Sequence, residues 1–329
     1  MKVVVTGAAG FLGARLAAAL LAPDCELRGV SELVLVDARQ PAPPAAAAAP
    51  AVRVRALAVD LAANDAAERV VEPDTAVVFH LAAIVSGHAE KDFDLGLRVN
   101  LDATRALLEA ARHRAPGLVF VLASTVGVLG GELPPLVDEG AAPTPQSSYG
   151  CAKAMSELLA SEYGRRGFTD ARVLRLPTVS VRGGGANQAV TSYASGVVRE
   201  PLSGLEAAVP VPRDQELWLA GPAGVVRNLV HAAALPARAW VPRRVLALPG
   251  LTVSAGEMVA ALERVAGAAV AARVRWAPEP ALAAMVATFP ARLDARRALA
   301  LGFEQDASFD DLIREYIRDD LGGRLPEKR

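Results

Sequence analysis

The chain has 329 residues, room for one large domain or two modest ones at roughly 150 residues each. Hydrophobic residues make up 52% and charged residues 22%, enough for a full core and incompatible with global disorder. Lys+Arg 35 against Asp+Glu 36 leaves a net charge of −1, without the basic excess of a nucleic-acid binder.

Aromatic residues are only 5%, so alanine and the aliphatics must do most of the packing. Two cysteines, Cys25 and Cys151, cannot build a disulfide framework and are too few for a structural zinc site. A reducing, cytoplasmic setting is expected. The start MKVVVTG has no apolar stretch long enough for a signal peptide, because Gly7 interrupts it. No run approaches the ~18 apolar residues of a membrane span. A soluble protein with no membrane or nucleic-acid partner is therefore expected.

In chain order, residues 2–5 read as a strand and 11–22 as a helix ended by Pro23. Residues 33–36 form a second predicted strand closing on Asp37, and 52–58 a third, followed by a short helix at 64–71. A fourth strand is predicted at 76–80, a helix at 103–114 and a fifth strand at 118–122. A helix at 148–164 and a sixth strand at 171–175 complete the alternation. Fully apolar strands separated by helices imply a parallel sheet covered on both faces, with ligands at the carboxyl ends of the strands. The low-complexity segment 41–50 (PAPPAAAAAP) is expected to be a disordered surface excursion.

After Arg175 the rhythm breaks, and proline and glycine become frequent from 177 to 249. Segments 245–248, 254–265 and 309–319 suggest a smaller mixed α+β region. The predicted architecture is α/β: a Rossmann-type doubly wound parallel sheet over 1–176. Residues 177–329 are mainly a smaller α+β substrate lid, with some segments returning to the first domain.

Directly after the first strand, Gly7, Gly10 and Gly13 spell G-x-x-G-x-x-G. Glycine is needed where backbone must approach a pyrophosphate and where helix must press on sheet, and the helix amino end then attracts the anion. A glycine triplet alone is equally a tight strand–helix turn, but here it opens a βαβ unit, as the motif demands. Asp37 ends the second strand, where a carboxylate would accept hydrogen bonds from an adenosine ribose and repel a 2′-phosphate. NAD is therefore favoured over NADP, with Arg39 nearby as the contrary sign.

Tyr149 and Lys153 are spaced i, i+4 on one helical face. A lysine ammonium, together with a positive nicotinamide ring, would lower the phenol from its ordinary value of about 10 toward neutrality. Such a tyrosine can take a proton from an alcohol while hydride leaves the same carbon. Ser124 and Thr125 close the fifth strand, and their hydroxyls are expected to point into the same cleft.

This ordered set resembles the extended short-chain dehydrogenase/reductases, the group containing nucleotide-sugar epimerases and dehydratases. The resemblance covers nearly the whole chain: TGAAGFLG (6–13), Asp37, Asp60-Leu61, His80-Leu-Ala-Ala83, Asn100, Ser124-Thr125 and Tyr149/Lys153. It implies that Gly7, Gly10, Phe11, Leu12 and Gly13 surround the pyrophosphate. Asp60 and Leu61 would flank the adenine, and Leu81, Ala82 and Ala83 would run along the pyrophosphate and ribose. Asn100 would brace the nucleotide-binding half, Lys153 would hold the nicotinamide ribose, and Pro177 and Thr178 would contact the carboxamide. The resemblance also implies a homodimer. His80 and His88 have no acidic cluster beside them, so no metal is expected.

Dehydratases of this group carry an Asp-Glu pair after the threonine, whereas Val126-Gly127 stand here. Leu129 replaces a tyrosine common before the substrate loop. The stretches TPQSSYG (144–150), LRLPTVSVR (174–182), ASGVVREPL (194–202), DFDLG (92–96) and LWL (217–219) resemble the D-erythronate dehydrogenase branch. That branch oxidises the C2 hydroxyl of a four-carbon sugar acid with NAD. A free carboxylate needs a cation or a cluster of donors. The candidate substrate contacts are Ser86, Thr125, Tyr149, Arg182, Asn187, Ser192 and Arg199. Arg199 can equally be a helix-end cation paired near Glu200. The expected catalytic set is Tyr149, Lys153, Thr125 and Ser124. Two other readings stand beside it: a nucleotide-sugar 4-epimerase that retains NAD, and a non-catalytic NAD-sensing protein.

Overall fold

The computed structural model describes residues 1–45, 52–185 and 189–324. Positions 46–50 of the expected excursion at 41–50, and Asn187, lie outside the described residues.

Strand β1 (Lys2–Thr6) is buried along its whole length, as a β-branched run is when both faces of a sheet are covered. It is followed by α1 (Phe11–Leu20), β2 (Glu32–Asp37), β3 (Arg53–Ala58), α2 (Ala66–Val70) and β4 (Thr75–His80). Then come α3 (Ser86–Lys91), α4 (Phe93–Leu97), a π-helical turn (Arg98–Asp102) and α5 (Ala103–Arg114). Strand β5 (Val119–Thr125), helix α6 (Ser148–Arg165) and strand β6 (Asp170–Leu176) follow. The later elements are β7 (Thr178–Val179), α7 (Tyr193–Leu202), β8 (Ala207–Val209), β9 (Glu216–Ala220), α8 (Pro222–Ala234) and β10 (Val245–Ala247). The chain continues through β11 (Leu251–Ser254), α9 (Ala255–Ala266), α10 (Ala268–Ala271), β12 (Val274–Trp276), α11 (Pro280–Val286), α12 (Arg296–Ala300) and α13 (Phe309–Asp320).

The main sheet has the order β10-β6-β5-β4-β1-β2-β3, and the pairs from β6 through β3 are all parallel. The order reverses between β1 and β4, which makes the carboxyl ends of those two strands the topological switch point. Segment 245–248, read from sequence as part of the smaller region, instead supplies the seventh strand beside β6. The Val173 N–H donates to the Arg244 carbonyl at 2.9 Å, which ties that segment to the sheet.

The helix expected at 103–114 is the last part of a helical run that starts at Ser86. Two local features disguise its beginning. Asp92 interrupts it and accepts the Leu95 N–H to restart it. Gly96 lets the backbone close on Ala89, where a Cβ would sit 3.0 Å from the alanine methyl.

Contacts group the chain into two units. The first comprises Met1–Val128, Ser147–Leu176 and Val226–Leu246; the second comprises Leu129–Gln146, Pro177–Val225 and the chain from Ala247 onward. In the first, Val4, Val34, Val78, Phe120, Leu107, Leu108 and Ala160 share one core between the sheet and α5 and α6. In the second, β11, β9 and β7 form a three-stranded sheet, and β12 pairs with β8. Its core joins Tyr193, Val197, Leu217, Leu219, Met258 and Leu262 to the buried face of α13. That face is Phe309, Leu312, Ile313 and Tyr316, the i, i+3, i+4, i+7 stripe of an amphipathic helix. Among the described residues no helix is long and apolar enough to cross a membrane.

Candidate active site

The glycine turn after β1 leaves no room for a Cβ at Gly7 or Gly13. Gly7 has φ +71°, and a Cβ there would lie 2.7 Å from the Ala82 nitrogen. A Cβ on Gly13 would lie 2.1 Å from the Gly7 carbonyl oxygen. Glycine at these positions lets α1 and the loop after β4 close on the turn. No side chain caps α1 at Gly10, so the first main-chain donors, at Phe11 and beyond, face outward with the positive end of the helix dipole.

Asp37 stands at the end of β2, half-buried. Its Oδ2 accepts the Ala9 N–H at 3.1 Å and its Oδ1 accepts the Arg39 N–H at 3.1 Å. Each oxygen keeps a further lone pair, so the carboxylate can still accept the two hydroxyls of a ribose. The Arg39 guanidinium turns back to the Ala9 carbonyl at 3.4 Å. After β3, exposed Asp60 closes a turn onto the Ala62 N–H at 3.0 Å, and Leu61 is buried. A glycine turn, an uncapped helix end and a carboxylate beyond β2 together fit a dinucleotide.

Beneath the turn lies a buried polar chain. The Ala82 N–H donates to Thr6 Oγ1 at 3.3 Å, and Thr6 Oγ1 meets His80 Nδ1 at 2.7 Å. His80 Nε2 meets Thr104 Oγ1 at 2.9 Å, and that hydroxyl donates to the Asn100 carbonyl at 3.0 Å. Thr104 has one proton to give and gives it to Asn100, so it accepts from His80, whose Nε2 carries the hydrogen. Burial, aided by the Lys153 charge, pushes the imidazole down to about 3. His80 is thus a neutral bracing residue with both nitrogens engaged. Among the described residues no three His, Cys, Asp or Glu side chains gather as a metal site. Asn100, in the π-helical turn, clasps the Ile84 backbone through Oδ1 at 2.8 Å and Nδ2 at 3.1 Å. That clasp holds the loop carrying Leu81, Ala82 and Ala83.

Tyr149 lies in the first turn of α6. Ser147 caps that helix by accepting the Gly150 N–H at 3.0 Å, and Glu90 of α3 accepts the Ser148 N–H at 2.5 Å. One turn on, buried Lys153 places Nζ 6.0 Å from the Tyr149 ring centroid and donates to the Ala123 carbonyl at 3.0 Å. Thr125 ends the same strand as Ala123. Its Oγ1 accepts the Gly127 N–H at 3.0 Å, which leaves its own proton free to donate.

One expectation is corrected here. Ser124 and Thr125 do not point the same way, because successive strand residues alternate faces. Ser124 is buried and donates to Glu157 Oε1 at 2.5 Å, away from Thr125. The lowering of the tyrosine is expected of Lys153 and a positive nicotinamide ring acting together, and the protein groups alone set its starting point. Burial pushes the Tyr149 phenol up to about 12 and Lys153 down to about 8, against the pull of Glu157.

In the second unit, the Arg182 N–H donates to Ser195 Oγ at 3.1 Å. The half-buried guanidinium of Arg182 makes no hydrogen bond or ion pair among the described residues. Burial, and then the charge of Arg199, push it below the ordinary arginine range. Arg199 is engaged differently: it donates to the Arg182 carbonyl at 3.1 Å and pairs with Glu200. Ser192 precedes α7 without capping it through its side chain. Thr178, next to Pro177, opens β7 and pairs with Leu219. Ser86 is the first residue of α3 in the first unit.

The residues that sequence reasoning missed are Thr6, Thr104, Glu90 and the buried pair Glu157–Arg175. A signal for one of them was present: Tyr149, Lys153 and Glu157 recur every fourth residue along α6.

The model of the NAD dependent epimerase/dehydratase family matches residues 3–233. A D-erythronate dehydrogenase of Cupriavidus necator is 49% identical over 324 residues, covering 97% of this chain and 98% of the relative. A D-erythronate dehydrogenase of Haemophilus influenzae is 40% identical over 324 residues, covering 98% and 100%. Among solved structures, the nucleoside-diphosphate-sugar epimerase from Agrobacterium tumefaciens is similar with a TM-score of 0.92 at 41% identity, covering 99% of this chain and 96% of that one. With a glycine turn and carboxylate that fit the dinucleotide, a family model across residues 3–233 and relatives of this identity from end to end, the chain belongs to the NAD dependent epimerase/dehydratase family, and NAD is its cofactor.

Proposed function

We propose that this NAD-dependent oxidoreductase oxidises the C2 hydroxyl of a small sugar acid, D-erythronate, to 2-dehydro-D-erythronate. The observation that carries the chemistry is the tie between Lys153 Nζ and the Ala123 carbonyl, which holds the ammonium between the Tyr149 ring and the strand ending in Thr125. In this reading Tyr149 removes the alcohol proton as general base, and the Thr125 hydroxyl donates to the alcohol oxygen. Lys153 stabilises the phenolate as it forms. NAD, when bound, supplies the acceptor for the hydride leaving C2. Ser124, which donates to Glu157, positions the strand end and does not hold substrate. The groups assigned to the cofactor are Gly7, Gly10, Phe11, Leu12, Gly13, Asp37, Asp60, Leu61, Leu81–Ala83, Asn100, Pro177 and Thr178.

The substrate class draws on the two D-erythronate dehydrogenases matched along their full length and on the guanidinium of Arg182. A half-buried cation that pairs with no carboxylate among the described residues is suited to one brought by the substrate. We assign Arg182 to the substrate carboxylate and Arg199 to holding the Arg182 backbone. A homodimer in the cytoplasm is the assembly and setting we infer from family resemblance. A second reading, a nucleotide-sugar 4-epimerase with retained NAD, draws on the likeness to the Agrobacterium protein.

Purified protein, added NAD and a panel of four- to six-carbon sugar acids separate the two readings by absorbance in the NADH band. Reduction with D-erythronate and little with its stereoisomers is the expected result. No reduction with any acid, from a protein that purifies with NAD bound, would transfer the assignment to the epimerase.

A further inference from the structure

We propose that Glu157 and Arg175, buried behind the catalytic lysine, are positioning residues that hold Lys153 in its charged form and anchor the end of β5 through Ser124. This rests on the reading of Tyr149 and Lys153 as the catalytic pair. The three α6 side chains Tyr149, Lys153 and Glu157 follow one another at four-residue spacing and so lie along one helical stripe. Glu157 is 1% exposed and Arg175 4%. Arg175 Nη2 reaches Glu157 Oε2 at 2.8 Å, and its Nε reaches both carboxylate oxygens at 3.1 Å. Ser124 is the cross-strand partner of Arg175 and gives its hydroxyl proton to the same carboxylate.

Stability alone is a poor reason for this arrangement, because taking two charges out of water commonly offsets what the pair gains. Its placement offers a better one. Among the described residues no carboxylate is hydrogen-bonded to Lys153; its Nζ acceptor is the neutral carbonyl of Ala123. Burial favours the uncharged amine, and the attraction of Glu157 is what opposes it. The charged or titratable groups acting on Lys153 are neutral His80 from β4, and Tyr149 and Glu157 from its own helix. Behind Glu157 stands Arg175 from β6. Glu157 therefore draws the lysine toward the ammonium, and Arg175 and Ser124 fix the carboxylate in place.

The test is a nitrogen NMR titration of the lysine Nζ groups in the full chain without substrate. The chain has only four lysines, and K153M assigns the signal of interest. Glu157→Gln removes the negative charge and leaves Arg175 unbalanced, so the Lys153 midpoint is expected to fall by about 1–2 pH units. Arg175→Gln leaves the carboxylate unbalanced, and the midpoint is expected to rise. Glu157→Asp keeps the charge and should hold the midpoint near its original place. The alkaline limb of the turnover profile should follow the same order.

A purely structural pair would lower the melting temperature in both single variants without moving the midpoint in opposite directions. Where a single variant does not fold, E157Q/R175Q removes both charges of the buried pair together, and the midpoint should still fall. Midpoints that stay still, or that move the same way in E157Q and R175Q, overturn the proposal. Undiminished turnover in Tyr149→Phe and K153M would overturn the catalytic reading instead, while the titration still reports on Glu157.

Discussion

Lys153 Nζ lies 3.0 Å from the Ala123 carbonyl oxygen, two residues before Thr125, so the ammonium itself joins helix α6 to the strand end that carries the threonine. One atom thus bears both the charge and the brace. K153M removes both and is expected to lower kcat by at least about 100-fold and to weaken NAD binding. Tyr149→Phe should lower kcat as far while leaving the NAD dissociation constant within about threefold, since in the proposed mechanism it removes only the proton acceptor. Stopped-flow turnover and calorimetric titration with NAD separate the two. Equal loss of NAD affinity in both variants would mean that the tyrosine, too, acts mainly through binding.

Arg182 and Arg199 are neighbours with different employments, and their substitutions should differ in kind. R182M deletes a guanidinium engaged with no described residue. Loss of a charged hydrogen bond of about 1.5–3 kcal/mol predicts a KM for the sugar acid raised about 10- to 100-fold, with little change in melting temperature. R199M strips Glu200 of its partner and removes the donor to the Arg182 carbonyl. It is expected to destabilise the protein by about 3 kcal/mol, read as a lower denaturation midpoint. A raised KM in R199M at unchanged stability would reverse the two assignments.

Much of the first unit is legible in the sequence because its signals are local. The run Val3–Val5 is apolar without alternation, as only a doubly covered strand is, and Gly7, Gly10 and Gly13 mark the turn that follows. Asp37 lies where its strand ends. What is illegible depends on partners far along the chain. Ser124 looks like a second cleft hydroxyl until Glu157, 33 residues later, is seen to take its proton. Arg175 looks like an ordinary strand residue, yet it closes that buried pair. Helices α3 and α4 are hidden by Asp92 and Gly96, breakers by propensity that serve here as a cap and a close-packing point. Strand β10 is separated from β6 by the whole of β7, α7, β8, β9 and α8, and nothing in its three residues announces its neighbour.

At the amino edge of the sheet, buried Lys2 is surrounded by Glu72, Asp74 at 2.7 Å and Glu32 at 3.8 Å. Arg55 ties Glu32 and Glu72 together at 3.0 Å each. The hydrogen bond from Lys2 holds Glu72 below the ordinary carboxylate range. A depressed folded value means that this stabilisation is complete above the unfolded value of about 4.3. It is lost as pH falls through the folded one. K2M should therefore cost about 2 kcal/mol near neutral pH, between the values for exposed and buried pairs. The gap between variant and parent should close as the carboxylates protonate. Urea unfolding at several pH values tests this, and a gap that stays constant into acid would mean that Lys2 acts by packing alone.

His80 gives the pH dependence an independent origin. Fully buried between Thr6 and Thr104, it is pushed down to about 3, first by burial and then by the charge of Lys153. An unfolded histidine titrates near about 6.5. Between these values the unfolded chain binds a proton that the folded one refuses, so stability rises with pH through that window and is complete above it. Each pH unit of descent below about 6.5 costs about 1.4 kcal/mol, or about 2 kcal/mol on going from pH 7 to pH 5. His80→Gln cannot take up that proton. It should begin less stable at neutral pH, because a fitted ring between two hydroxyls is lost, and should then decline less steeply between about pH 6.5 and pH 5. Parallel denaturation series for parent and variant measure the two slopes directly. Equal slopes would place the acid sensitivity of this window on groups other than His80.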